Sequence, residues 1–204
     1  MGFFSASCSI YRFTLVEEVP RAVMSNLPEL LWENRFREIE ETAEERGFGW
    51  VSFEDMLDTD FTTGSPFKGR FAAFALRLDT RRISPAVFKK HYRVALRQLE
   101  EQVKQNGGRF VSREQKKELS EQVRLRLLTR MLPVPAVFDV AWDMKSGRVY
   151  LAAGQNKVRE LFVELFFNTF GLRLEALSPY RTALELLPAD ERHHLETYEP
   201  VLFV

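Results

Sequence analysis

The sequence predicts an α+β fold: a mostly antiparallel sheet body with packed helices and an inserted basic two-helix finger. Three observations predict it. Short runs rich in apolar and aromatic residues stand at both ends of the chain, bounded by Gly, Pro and Ser. Two long helical patterns with clear start signals lie together between them. The charge is concentrated on those two patterns. The 204 residues carry 29 Lys and Arg against 29 Asp and Glu, yet from Arg81 to Arg130 there are 14 basic residues against five Glu. That stretch is +9 and the remainder is −9. A cationic segment in an acidic body points to a polyanion.

The elements follow in chain order. Ser5 to Thr14 alternates and is expected as the first strand, with Ala6, Cys8, Ile10 and Arg12 on its inner side. The lone Cys8 is then a small buried hydrophobe, and no intrachain disulfide can form. Asn26 or Pro28 opens an acidic helix running to about Glu45. Leu30, Leu31, Phe36 and Ile39 form its apolar side, and Gly47 ends it. Phe48 to Phe53 is a short strand, Asp55 to Gly69 a polar loop, and Arg70 to Asp79 a strong strand.

Ser84 and Pro85 open the second helix as N-cap and first helical residue, and Asn106-Gly107-Gly108 stops it. Ser112 with Gln115 forms a capping box for the third helix, which ends before Pro133. Val134 to Trp142 and Arg148 to Ala153 read as a hairpin around Lys145-Ser146-Gly147. Gln155 to Phe170 is an amphipathic helix closed by Gly171, and Leu172 to Leu177 a last strand. Tyr180 to Tyr198 is expected as one or two short helices split at Pro188. The apolar Val201 to Val204 is expected to pack on the body or on a partner chain. The expected organisation is a body of residues 1–80 plus 133–204 and a finger of residues 81–132.

On the second helix, Lys89, Arg93, Arg97 and Lys104 share one face, spanning about 22 Å along the axis. Phe88, Tyr92, Ala95, Leu96, Leu99 and Val103 take the neighbouring face as the seam to the third helix. The third helix adds Arg113, Lys117 and Arg124, and the connecting loop holds Arg109 and Phe110. Phe110 either stacks, wedges or plugs a partner surface, or packs across the helix start as a staple. The stripe suits a polyanion, a solvated surface or an acidic protein partner. Glu is too scarce to neutralise it with i,i+4 pairs.

The order of elements resembles the bacterial recombination-associated protein RdgC. The residues that carry the resemblance are Ile10-Tyr11-Arg12, Gly49-Trp50-Val51 and Ile83-Ser84-Pro85-Ala86-Val87. Ser112 to Glu118, Leu128 and Leu132-Pro133 match the family's finger. Trp142-Asp143 with Gly147, and Leu177-Ser178-Pro179, keep its order over residues 5–180. The resemblance implies a non-catalytic, sequence-nonspecific DNA-binding protein that forms ring-shaped dimers on duplex DNA and competes with the RecA recombinase. It places Lys89, Lys90, Arg93, Arg97, Arg113, Lys116, Lys117 and Arg124 in the family's basic helices. Lys104, Arg109 and Phe110 join them as expected DNA contacts. Known members continue past the end of this sequence, so a short member lacking part of the ring is expected. Val134-Pro135-Ala136-Val137 also replaces the family's basic residue and Phe after the finger.

Two other chemistries fit parts of the sequence. Asp139, Asp143 and Lys145 could hold Mg²⁺ and support an attacking water, as in a nuclease, although Asp143 to Gly147 are ordinary turn residues. His193 and His194 stand among Asp190, Glu191 and Glu196, a pattern that fits a surface helix better than a metal site. A protein-interaction module without DNA binding is the remaining alternative. No cofactor or metal is expected, nor any small-molecule substrate. The N-terminus has no charged secretory start, and no apolar run approaches the roughly 20 residues of a membrane span. A cytoplasmic, nucleoid-associated protein is therefore expected, with duplex DNA, single-stranded DNA and a second copy of the chain as partners.

Overall fold

A computed structural model describes residues 2–197. Its strands are β1 (Ile10–Leu15), β2 (Arg46–Ser52), β3 (Phe67–Lys68), β4 (Phe71–Thr80), β5 (Val134–Asp143), β6 (Arg148–Ala152) and β7 (Leu174–Ala176). Its helices are α1 (Arg21–Ser25), α2 (Leu27–Glu33), α3 (Pro85–Gln105), α4 (Arg113–Leu128), α5 (Asn156–Phe170) and α6 (Pro179–Leu186), followed by a 3₁₀ turn at Arg192–Glu196. The apolar Val201 to Val204 lies outside the described residues.

All seven strands pair antiparallel in one sheet, ordered β2-β4-β5-β6-β1-β7 with β3 beside β4. The α+β class is as the sequence predicts. Alternation then divides the side chains. Trp50, Phe74, Leu76, Phe138, Val140, Trp142, Val149, Leu151 and Phe13 meet α5 and α2 on one face. The α5 rings Phe162, Phe166 and Phe170 interlock with them. The Trp142 ring lies 5.3 Å from both Phe166 and Phe170, and Trp50 lies 5.0 Å from Phe74. The buried Trp50 Nε1 donates to Thr169 Oγ1 at 2.8 Å, so that indole is satisfied without water. Gly171 takes φ 68° and closes α5 as expected.

The first helix is shorter than its pattern suggests. It ends at Glu33, where Asn34 turns its side-chain amide back to Leu30 O at 3.0 Å. The chain then pairs with the free edge of β2. Trp50 N donates to Asn34 O at 3.1 Å, and Phe36 N donates to Trp50 O at 2.9 Å. Phe36 and Ile39 fit helical spacing but bury beyond the helix. Phe36 packs on Val51, Ala75 and Val137 across the second sheet face. Gly47 lies inside β2 and ends no helix. Gly49 permits this crossing, because a β-carbon there would overlap the Phe36 backbone.

The first strand also differs. It starts at Ile10, and Tyr11, Phe13 and Leu15 point to the core, while Ile10 and Arg12 are exposed. Cys8 precedes the strand and is half-buried, so it is no core residue. The aromatic and leucine side chains outweigh Ala6 and Cys8 in apolar area, and they set the register. The earlier residues cross the second face, where Phe3 N donates to the Asp139 carboxylate at 2.8 Å.

Asp58 organises the loop before β3. Its carboxylate accepts from the amides of Asp60, Thr62 and Thr63 and from both threonine hydroxyls. Burial pushes this carboxyl up, but the Thr63 and Thr62 donors outweigh it and bring it down to about 2. A lowered folded value means stability that is present above the unfolded value near 4 and is lost as pH falls toward 2. Asp58→Asn is therefore expected to cost about 2 kcal/mol at pH 7. The gap to the unsubstituted protein should close between about pH 4 and pH 2 in urea denaturation. A gap constant over that range would refute the assignment.

Candidate nucleic-acid interface

Strands β4 and β5 are neighbours, and their pairing runs to Thr80 opposite Val134. Where a short turn would usually join them, α3 and α4 stand as an antiparallel hairpin. Pro85 takes the first turn of α3, although Ser84 contributes no side-chain cap. The Ser112–Gln115 capping box of α4 is complete, with both bonds near 3 Å. Gly107, at φ 79°, makes the turn, and Gly108 N returns to Val103 O at 2.8 Å. The seam is narrow. Ala95, Val123 and Leu127 are buried, with Ile83, Phe88, Tyr92 and Leu119 packed around them.

Lys89, Lys90, Arg93, Arg97, Lys104, Arg109, Arg113, Lys116, Lys117 and Arg124 are all exposed. Their common direction follows from the opposite flank of the hairpin. Gln98 and Gln102 of α3 meet Gln122 and Arg126 of α4 along a groove floored by Ala95, Leu99, Leu119 and Val123. On α3, Arg93, Arg97 and Lys104 lie on the side of the helix away from Gln98 and Gln102. On α4, Arg113, Lys117 and Arg124 lie away from Gln122 and Arg126. These cations of both helices therefore share one side, and a groove lined by Gln98, Gln102, Gln122 and Arg126 occupies the other.

Among the described residues, the first nine of those cations make no ion pair within 4.0 Å. Arg124 differs, because its guanidinium holds Glu45 of the body at 2.6 and 2.9 Å. Sequence spacing gave no sign of that partner. Arg81 differs more. It belongs to the basic stretch by composition but is only 6% exposed. It donates to the carbonyls of Ile39 (2.9 Å), Glu40 (2.7 Å), Glu44 (3.3 Å) and Thr42. Phe110 is 88% exposed at the tip, so the staple is not formed. The Gln groove was readable from the i,i+4 spacing of Gln98 with Gln102 and of Gln122 with Arg126.

The carboxylates suited to metal chemistry are engaged elsewhere. Asp143 pairs with Arg70 at 3.0 Å and accepts from Lys145 N at 3.1 Å. Burial pushes its carboxyl up, but Ser146, the Lys145 amide and Arg70 outweigh it and leave it lowered. Asp139 shares the sheet face, about 13 Å along the strand. Burial raises its carboxyl against the Phe3 amide. The rings of His193 and His194 lie 4.0 Å apart, tilted by 38°, and no group of three His, Cys, Asp or Glu able to hold a metal occurs among the described residues. No described helix is long and apolar enough to cross a membrane.

The architecture defines a class: an antiparallel α+β body in which a cationic helical hairpin replaces the turn between two central strands. The sequence comparison narrows the class to a family. Residues 3–186 match the family described as "Putative exonuclease, RdgC", and the chain belongs to it. No curated protein matches the chain.

The buried and the exposed arginines are expected to behave differently. Arg81→Ala leaves several carbonyls without their charged donor and should lower unfolding stability by about 3 kcal/mol or more. Arg124→Ala removes an exposed pair and should cost under about 1 kcal/mol. Equal losses in denaturant titrations of the two variants would contradict this division.

Proposed function

We propose that the chain is a non-catalytic, sequence-nonspecific DNA-binding protein that acts through the basic side of the α3–α4 hairpin. The observation that carries this reading is the set of nine exposed cations on the hairpin without carboxylate partners among the described residues, of which Arg93, Arg97, Lys104, Arg113 and Lys117 share one flank. Their repetition along two helices suits a phosphate backbone, whose contacts carry no base identity. Duplex DNA is the first partner, single-stranded DNA the second, and Phe110 at the tip offers a ring for stacking or wedging. Membership of the RdgC family extends the proposal to a homodimer on DNA in the nucleoid, modulating RecA-dependent recombination in the cytoplasm.

Engagement of about six phosphates gives a log–log salt slope near −5 on duplex DNA. Arg93→Glu with Arg97→Glu should weaken binding on the order of a hundredfold at low salt, equally for unrelated sequences, and flatten the slope. Fluorescence anisotropy with labelled duplexes reads both quantities. Unaltered affinity in the double variant would end the proposal.

The family description favours one second reading, a metal-dependent nuclease, whose carboxylates would be Asp139 and Asp143 with Lys145. The two carboxylates stand far apart, and Asp143 is held by Arg70. DNA incubated with the protein and Mg²⁺ is expected to stay intact. Degradation that Asp143→Asn abolishes would establish the nuclease instead.

A further inference from the structure

At the base of the hairpin, where β4 passes into α3, lies a cleft of about 280 Å³. Arg81, Arg82 and Arg124 line it together with Glu45, and Ile83 and Phe88 belong to its apolar wall. Three guanidiniums against one carboxylate leave the cleft at +2. Arg82 is exposed and makes no ion pair within 4.0 Å among the described residues. Arg81 is buried, and its Nε is without a hydrogen-bond partner there.

The backbone adds to this charge. The 21-residue helix α3 begins at the cleft with no side-chain cap and no acidic residue in its first turn. Phe88 N is satisfied by Ser84 O at 3.0 Å, but the amides of Ala86 and Val87 have no intrahelical acceptor. The N-terminal end of a long helix beside the exposed Arg82 guanidinium favours a doubly charged anion. The volume is at the small end of ligand pockets, which run roughly 300–1,000 Å³. It suits one phosphate with one attached ring.

We propose that this cleft is a phosphate-binding site, in which Arg82 holds the phosphate beside the first turn of α3, where Pro85 lines the cleft, and Phe88 flanks the group attached to it. Arg124 is the second ligand: a phosphate competes with the Glu45 carboxylate for its guanidinium. The phosphate belongs to a free nucleotide or to the end of a DNA strand, since both present the same dianion. The site is separable from the DNA reading, because Arg82 and Phe88, unlike Arg124, stand outside the cationic side of the hairpin.

Calorimetric melting in inorganic phosphate, against chloride at equal ionic strength, tests the site. A saturable rise in Tm of about 4 °C is expected at a tenfold excess over Kd. Arg82→Gln should abolish the rise and Arg82→Lys should keep part of it. Absence of a saturable rise, or an unchanged rise in Arg82→Gln, overturns the proposal. The Arg93→Glu/Arg97→Glu protein should keep the phosphate rise while losing duplex affinity, so the two readings fail separately. Deoxyadenosine monophosphate and a pair of oligonucleotides, 5′-phosphorylated and 5′-hydroxyl, identify the source. Arg82-dependent preference for the phosphorylated strand assigns the strand end, and binding of the mononucleotide without that preference assigns the free nucleotide.

Discussion

The pairing of β4 with β5 is the constraint on which the molecule depends. Its ladder runs from Phe71–Asp143 to Thr80–Val134, so the chain leaves the sheet and returns to it on adjacent strands. Everything between must stand out from one end of the sheet. A flexible insertion would cost only slowly growing closure entropy, but it would have no direction. Direction comes from Arg81. Its amide extends the β4 edge by donating to Glu45 O at 2.9 Å, and its guanidinium gathers the carbonyls of the Ile39–Glu44 segment. One side chain thus ties the root of the hairpin to the segment that covers the second sheet face.

The same strand explains why the body does not quench the hairpin. Arg77 spends its guanidinium on Asp79 at 2.8 and 2.9 Å and on Glu38 at 3.0 Å, over the Phe36 ring. Arg173 takes Glu17, Arg70 takes Asp143 and Arg181 takes Glu175. Several body carboxylates are therefore matched locally, and only Glu45 reaches a cation of the hairpin helices among the described residues. Zero net charge consequently says little about the field at the hairpin. At physiological salt, charges farther than about 8 Å are screened, and the local stripe decides what approaches.

The legible parts of the sequence were those governed by neighbours in the chain. Ser112 with Gln115, the Asn106-Gly107-Gly108 stop, Gly171 after α5 and the turn at Gly147 are local devices, and each stands where its motif predicts. The opening helix failed for a tertiary reason. Phe36 and Ile39 satisfy helical spacing, but the open edge of β2 offers backbone partners that a helix cannot match, and Gly49 removes the obstacle to taking them. Arg81 failed for a similar reason. Composition counts it with the solvent-exposed cations, yet four carbonyls brought from some forty residues away bury it. The Arg124–Glu45 contact spans 79 positions and leaves no trace in spacing.

The thin seam of the hairpin bears on how the cationic side can act. Ala95, Val123, Leu127 and Leu128 are few buried side chains for helices of 21 and 16 residues. Such a pair does not hold its geometry by core packing along its length. It is fixed at two ends: by the capping box and glycine turn at the tip, and by Arg81 with the β-ladder at the root. Between those ends the thin seam leaves little packing to oppose a small shear of one helix along the other. A phosphate backbone varies locally in groove width, and rows that are stiff along the axis but adjustable across it follow that variation with little loss of contact. Stiffness along the rows lowers the ordering cost of binding. In the proposed DNA complex, freedom between them removes any demand for one nucleotide sequence.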